Sequence, residues 1–400
     1  MTTVAENEAL TRVGAGTPMG EVLRRYWWPV GISADLKEKP TLIRLLGEDL
    51  VLYRDRQRRV GVLGALCSHR RANLCLGSTT ERGLRCRYHG WVYDATGRVL
   101  ETPGEPPASA LADRVQHPAY PAEELGGLVF VYLGPRPAPL LPRFDFLAGE
   151  GEHRVKITGF ADCNWLQAVE NGMDPLHVSY THGPSWEDLN ATPEMGFEET
   201  EWGLVHKAAR PTRRPGIYNY REHHLLLPNI SSGGSAQRML DGPTGTPPTS
   251  HRWSVPIDDT HTMMVRVLYK PADNHGTWNA EPLVAGWKPI RIEPYLEYKL
   301  SDTPTLGYEI PRVIAAEDAA VMASMPPIVD REHENLLTVG DVGMRWIRNM
   351  YLQAIADVQA GRDPKGTVRD PARNTLIPVP CYEQELTADA LRQRNLATVS

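Results

Sequence analysis

Cysteine is scarce in this chain: Cys67, Cys75, Cys86, Cys163 and Cys381 are the only five among 400 residues. An odd, sparse set does not build the dense, even disulfide framework of a small secreted domain, so these positions read as thiols or metal ligands. Long apolar runs are missing too. No stretch approaches the roughly 18 uninterrupted apolar residues of a membrane span. The amino terminus "MTTVAENEALTRVG" has no basic segment leading into an apolar one. Both absences point to a soluble, cytoplasmic protein without a membrane partner. Neither charge sign dominates, since the formal net charge is -6, and no general attraction to nucleic acid follows. There is no internal repeat, no low-complexity tract and no GxGxxG element between a strand and a helix, so the chain carries no NAD(P)H or flavin site of its own. What is present is globular composition, 41% hydrophobic and 23% charged, in a length that suits about two domains.

The first third is strand-like. "TLIRLLGEDLVLYRD", "RVGVLGALCSH", "LRCRYHGWVYDATGRVLE" and "GGLVFVYLG" are short apolar runs separated by Gly, Asp and Arg turns, the pattern of a small antiparallel β domain. Proline crowds residues 133–146, where missing amide protons and fixed φ disfavour sheet and helix interiors, and a linker is expected there. "CNWLQAVENGMDPLHVSYTH" begins as a helix with Asp162 or Asn164 as N-cap, and Pro175 should disturb it. Strand-like segments return at "GLVHKAAR", "HHLLLPNIS", "HRWSVPI" and "HTMMVRVLY", which predicts a second sheet. "IPRVIAAEDAAVMASM" and "GDVGMRWIRNMYLQAIADVQAG" are helical by period, the latter stopped by Gly361.

The chemistry is concentrated in "CSHRRANLCLGSTTERGLRCRYHGW". A Cys-x-His pair, Cys67 and His69, precedes a Cys-x-x-His pair, Cys86 and His89, with residues 70–85 between them. Four thiolates would suit zinc or an ordinary iron–sulfur cluster. Two Cys and two His in this order fit a Rieske [2Fe–2S] centre, with Cys67 and Cys86 on one iron and His69 and His89 on the other. A Cys2His2 zinc site is the bland alternative, although zinc fingers place their two Cys before their two His. Cys75, Cys163 and Cys381 read as small buried residues.

A Rieske cluster moves one electron and does no substrate chemistry, so the rest of the chain must use that electron. "NWLQAVENGMDPLHVSYTH" offers His177 and His182, with Asp174 one turn before His177. The spacing of five is awkward on a regular helix, where the two would stand about 140° apart, but Pro175 makes a distorted helix end plausible.

These two segments together resemble the Rieske non-haem iron aromatic oxygenases: "CSHRRA" and "CRYHGW" match their cluster motif, and the second segment matches their "NWxxxxEN…DxxHxxxxH" iron motif. Arg70, Tyr88, Gly90 and Trp91 fit as well. Arg71 departs from the family glycine, at a cost if that position needs positive φ. "LTRVGAGTPMGEVLRRYWWPVG", "SMPPIVDREHENL" and "AGRDPKGTVRDP" extend the likeness to the phthalate-dioxygenase-like and aryl O-demethylase branch, whose members are large (alpha) subunits only.

The resemblance implies an α+β fold: an N-terminal all-β Rieske domain with a helical segment over 1–140, then a helix-grip catalytic domain, a curved antiparallel sheet covered by helices, over 141–400. It implies mononuclear Fe(II) on His177, His182 and a carboxylate from the late helix, taken as Asp318 rather than Glu317. Asn171 would stand near the iron. Asp174 would hydrogen-bond a liganding His of its own chain and reach His89 of a neighbouring subunit in a head-to-tail homotrimer or stacked trimers. Electrons would come from NAD(P)H through a separate flavin and iron–sulfur reductase. The implied reaction is O2-dependent O-demethylation of an aromatic acid, releasing formaldehyde, or its hydroxylation. Ring dihydroxylation of a phthalate-like carboxylate is the alternative, and a stand-alone Rieske electron carrier the alternative of another class. Substrate contacts are sought at Asn229, Ser231, Ser232, His251, Arg252 and Arg266, which meet a carboxylate or phenol if they face inward.

Overall fold

The apolar runs of the first third fold as short antiparallel strands in a computed structural model that describes residues 2–106, 108–183, 190–234, 248–274, 290–291, 314–394 and 396. "TLIRLLGEDLVLYRD" becomes the hairpin Thr41–Leu45 and Glu48–Arg54, turned at Leu46 and Gly47, both at positive φ. Val60–Gly64 and Ala119–Tyr120 complete that sheet. A second four-stranded sheet, Ser78–Thr79, Leu84–Arg85, Val92–Tyr93 and Val99–Glu101, adjoins the two Cys/His loops. Val51, Tyr53, Leu63, Leu84 and Tyr93 share one buried cluster with the two cysteines. A third sheet joins Trp27–Ile32, Ala122–Leu125 and Leu128–Tyr132.

The second half is built on a nine-stranded sheet. Glu194–Glu199, Gly203–Pro211, Ile217–Leu226, Ile230–Gly234, Thr249–Pro256 and Thr262–Pro271 run antiparallel in chain order. Gly151–Ala161 then pairs with the last of these and, in parallel, with Ile290–Arg291. Tyr382–Thr387 joins alongside Ile217–Leu226. The helix Trp165–Met173 lies across the strands Ile217–Leu226, Ile230–Gly234 and Thr249–Pro256. The longer helix Val342–Gln359 stops where Gly361 turns left-handed, at φ 74, and donates to Val358 O at 3.0 Å.

The N-terminal helices Val4–Thr11 and Pro18–Leu23, grouped with the first domain on sequence grounds, pack on Val342–Gln359. Asn7 Nδ2 donates to Val329 O at 2.8 Å, and Asn164 Nδ2 donates to Thr11 O at 2.9 Å. The proline-rich segment is tied down by bridges from Leu140 to Val368 and from Phe144 to Ile377. Trp28, Phe130, Trp165 and Trp253 therefore belong to one buried cluster that spans both halves. Among the described residues no helix is long and apolar enough to cross a membrane.

Candidate active site

Two loops of the same shape face each other at the tip of the first half. In each, the amide four residues after the cysteine returns to the cysteine carbonyl: Arg71 N–H donates to Cys67 O at 2.9 Å and Gly90 N–H to Cys86 O at 3.1 Å. Both closing residues are left-handed, with φ 59 at Arg71 and φ 75 at Gly90. The loops leave Cys67 and Cys86 buried, His89 half-buried and His69 exposed. The imidazoles stand 4.6 Å apart between centroids, and His69 stacks on Trp91 at 4.9 Å. Burial pushes the Cys86 thiol up, and the amides of Tyr88 and His89 pull against it. The Tyr93 hydroxyl lies 3.0 Å from Cys67 Sγ. Donors aimed at buried sulfurs stabilise thiolates, so two sulfurs inside and two imidazoles outside fit a [2Fe–2S] cluster with one iron toward the surface. Cys75 is half-buried beside these loops, its N–H on Asn73 Oδ1, whereas Cys163 and Cys381 lie outside them.

The second donor set depends on how one helix ends. Asn164 caps Trp165–Met173, its Oδ1 accepting from Leu166 N–H at 3.1 Å. Pro175 cannot continue that helix. The chain resumes as a π-helical turn over Val178–His182, closed by Gly183 N–H on Val178 O at 3.1 Å. This wider turn brings residues five apart to the same side, which an α-helix does not. His177 and His182 accordingly have ring centroids 5.3 Å apart. Arg210, buried in the strand Gly203–Pro211, holds the turn by donating to Pro175 O and to Ser179 Oγ.

Asp318, on the helix Ile314–Ala323, meets both histidines: its Oδ1 is 3.3 Å from His177 Nε2 and 3.1 Å from His182 Nε2. The three donor atoms lie within 4.8 Å of one another. Asn171 Nδ2 donates to the same Oδ1 at 3.2 Å. Each remaining ring nitrogen is held from behind, His177 Nδ1 by Asp174 O at 2.5 Å and His182 Nδ1 by Glu317 Oε2 at 2.8 Å. The Asp174 contact differs from the sequence expectation, which gave it to the carboxylate. With Pro175 next in the chain, the Asp174 carbonyl faces His177, while its Oδ1 caps the following turn by accepting from Leu176 N–H at 2.7 Å and His177 N–H at 3.3 Å.

Burial alone would raise the Asp318 carboxyl, but hydrogen bonds from His177 and His182 and the charge of Arg252 hold it well below the usual carboxylate range. Burial likewise depresses His182, yet Asp318 and Glu317 leave it raised overall. The site therefore favours positive charge between its rings and carboxylates. Two imidazoles and one carboxylate, converging from one side, are the donor set of a non-haem iron facial triad.

Strand register sorts the substrate candidates. Ser231 pairs with Arg252, Arg252 with Arg266 and Arg266 with Lys156, so these four share one sheet face. That face looks at the helix Trp165–Met173: a methyl added at Gly172 would lie 2.6 Å from Arg252 Nη2 and 3.4 Å from Ser231 Oγ. Burial, with Arg252 adding to it against the pull of Asp318, pushes the Arg266 guanidinium down to about 10. Ser232 and His251 occupy the opposite face. His251 Nδ1 meets Ser232 Oγ at 2.9 Å, its Nε2 meets Thr249 Oγ1 at 2.7 Å, and its ring stacks on Phe146 at 3.6 Å. Asn229 donates to Ser254 O at 2.6 Å and is buried. The structure thus gives Ser232 and His251 partners within the sheet and gives Asn229 Nδ2 a backbone acceptor. It adds His206, which sequence reasoning missed, beneath the helix Trp165–Met173 with Nδ1 3.1 Å from Met173 O. A histidine in an apolar strand carries no signal of that placement.

A surface-edged Cys/His cluster site defines an iron–sulfur protein, and the His/His/Asp donor set is a second candidate metal site. Residues 26–121 match the Rieske [2Fe-2S] domain family. The chain is 32% identical over 404 residues to the 5,5'-dehydrodivanillate O-demethylase oxygenase subunit of Sphingobium sp., with 98% of this chain and 89% of that protein covered. It is 33% identical over 389 residues to the tert-butanol monooxygenase / tert-amyl alcohol desaturase oxygenase subunit of Aquincola tertiaricarbonis, with 92% of this chain and 80% of that protein covered. A carbazole-bound oxygenase in complex with ferredoxin, from carbazole 1,9a-dioxygenase, shares the fold at a TM-score of 0.59 and 21% identity, covering 93% of this chain and 98% of that one. The chain belongs to the Rieske oxygenases, as an oxygenase (alpha) subunit. It is an O2-dependent oxidoreductase that carries a Rieske [2Fe–2S] cluster, and the zinc-module and stand-alone-carrier readings fall away.

Proposed function

We propose that this oxygenase holds ferrous iron on His177, His182 and Asp318 and O-demethylates or hydroxylates an aromatic acid. The observation that carries the substrate class is the cationic row: Arg252 and Arg266 stand on the one sheet face that looks at the triad. Bound there, iron would supply the activation of O2 that the reaction requires. The chain's own residues supply position. Arg252, Arg266 and Ser231 take the substrate carboxylate, since a guanidinium offers planar donors matched to it. Asn171 steadies Asp318, and Asn229 and His251, both buried and bonded within the sheet, stay out of the contact set. Hydroxylation of a methoxy carbon, which consumes O2 and two electrons from the reductase, gives a phenol and formaldehyde with release of water, whereas hydroxylation at the ring keeps the methoxy group.

Electrons reach this site from outside the chain in the same reading. The imidazole edge of the cluster, with His69 exposed and His89 half-buried, suits transfer across a subunit boundary. Asp174, half-buried beside His177, is the acceptor for the partner subunit's His89 in a head-to-tail homotrimer, with 1–140 the Rieske domain and 141–400 the catalytic one. A separate flavin and iron–sulfur reductase charges the cluster from NAD(P)H, in keeping with relatives named as oxygenase subunits.

Oxygen uptake and formaldehyde release, measured on methoxybenzoates beside the matching methoxybenzenes, test the reading. Turnover should require the carboxylate, and Arg252→Met should raise KM for the acid by roughly 10-fold or more, the scale of one charged hydrogen bond. Equal turnover of the uncharged ethers by wild type would remove the aromatic-acid assignment.

A further inference from the structure

Glu317 and Asp318 are consecutive on one helix, and the structure gives them opposite sides of the same imidazole. Neighbouring helical positions point about 100° apart. The pair therefore straddles His182, with Glu317 Oε2 2.8 Å from Nδ1 and Asp318 Oδ1 3.1 Å from Nε2. All three residues are buried, with relative exposures of 5% for Glu317, 7% for Asp318 and 2% for His182. His177 is held differently: its Nδ1 meets a backbone carbonyl, that of Asp174.

We infer that Glu317 is a positioning residue that locks His182 with its proton on Nδ1 and strengthens Nε2 as a metal donor. The inference rests on the proposed triad and deepens it. With Nε2 turned to the donor set, as the proposed triad requires, the hydrogen in the 2.8 Å contact belongs to His182 Nδ1 and Glu317 Oε2 accepts it. The Nε2 lone pair is then committed to the side where His177 Nε2 and Asp318 Oδ1 converge. A carboxylate behind an imidazole fixes the ring's orientation and raises its basicity, and removing such a partner typically costs 10–100-fold in metal affinity. His177, backed by a neutral carbonyl, is the weaker donor of the two. The vicinal acidic pair is thus a clamp with two assignments rather than two competing ligands.

The test is release of mononuclear iron from the purified holoenzyme to a ferrous chelator, with the Rieske absorbance and circular dichroism confirming fold and cluster. Glu317→Gln keeps size and accepts only through a neutral carbonyl; Glu317→Ala removes the contact. Release should quicken in the order wild type, Gln, Ala, by roughly 10-fold and up to about 100-fold. A space-filling role would leave Glu317→Gln at the wild-type rate, and that result overturns the inference even if Glu317→Ala fails to fold. His177→Ala separates the underlying reading. If it keeps a full complement of mononuclear iron, the triad itself is wrong and the inference falls with it. If it loses iron while Glu317→Gln releases at the wild-type rate, the triad stands and only the role of Glu317 is lost.

Discussion

Arg71 shows what one side chain costs in the left-handed region. Its φ of 59 closes the first cluster loop as Gly90, at φ 75, closes the second. An L-residue with a β-carbon gives up about 1–2 kcal/mol there, while glycine loses about 0.5–1 kcal/mol through its freer unfolded chain. Arg71→Ala and Arg71→Gly both remove the guanidinium, and only the second removes the β-carbon. Arg71→Gly should therefore be the more stable of the two by roughly 1 kcal/mol, read as the urea midpoint for loss of the cluster's visible absorbance. Coincident midpoints would show that the loop stores no such strain.

At the scale of elements, sequence patterns carried the local structure further than the site. The Asn164 cap and the helix stopped at Gly361 follow from neighbours in the chain, whereas the turn at Leu46 and Gly47 splits a run read as one strand. The Cys-x-His and Cys-x-x-His spacings likewise named the cluster residues, whereas His177, His182 and Asp318 came from the family resemblance and not from spacing. Three features were not legible because their causes lie far along the chain. Alternation divides Ser231 and Arg252 from Ser232 and His251, but only the Trp165–Met173 helix decides which face is the site. The roles of Glu317 and Asp318 depend on where His182 sits between them. The π-helical turn that aligns His177 with His182 depends on Arg210, from a strand, reaching Pro175 O and Ser179 Oγ. Arg210→Met would leave that carbonyl without its charged donor, a loss of about 1–3 kcal/mol for a buried group. The expected variant keeps its cluster spectrum and is isolated with less than half the wild-type ratio of iron to acid-labile sulfide above the cluster's own share. A wild-type ratio would mean the turn stands without Arg210.

The whole molecule keeps neutral histidines on both faces of its large sheet, and this sets how it responds to acid. On the site face, His206 stacks on His223 at 4.9 Å. Burial drives His206 down to about 3, opposed by the Met173 carbonyl and assisted by Arg210, and it drives His223 well below its ordinary value. On the other face His251, also pushed well below by burial, stacks on Phe146 at the end of the proline-rich segment. Unfolding returns each to about 6.5, so below that pH the unfolded chain binds more protons than the native one. Stability is then fully present above about 6.5 and falls as the pH drops below it. Each such histidine costs on the order of 1 kcal/mol by pH 5.5. Acid also strips iron, so the clean measurement is a difference between wild type and His251→Gln. At pH 7.5 the variant should be the less stable, having lost the contacts to Ser232 and Thr249. Moving to pH 5.5 should narrow that gap by about 1 kcal/mol in urea unfolding, because only the wild type must keep an imidazole neutral at this position. A gap unchanged between the two pH values would show that His251 is not held neutral in the folded protein.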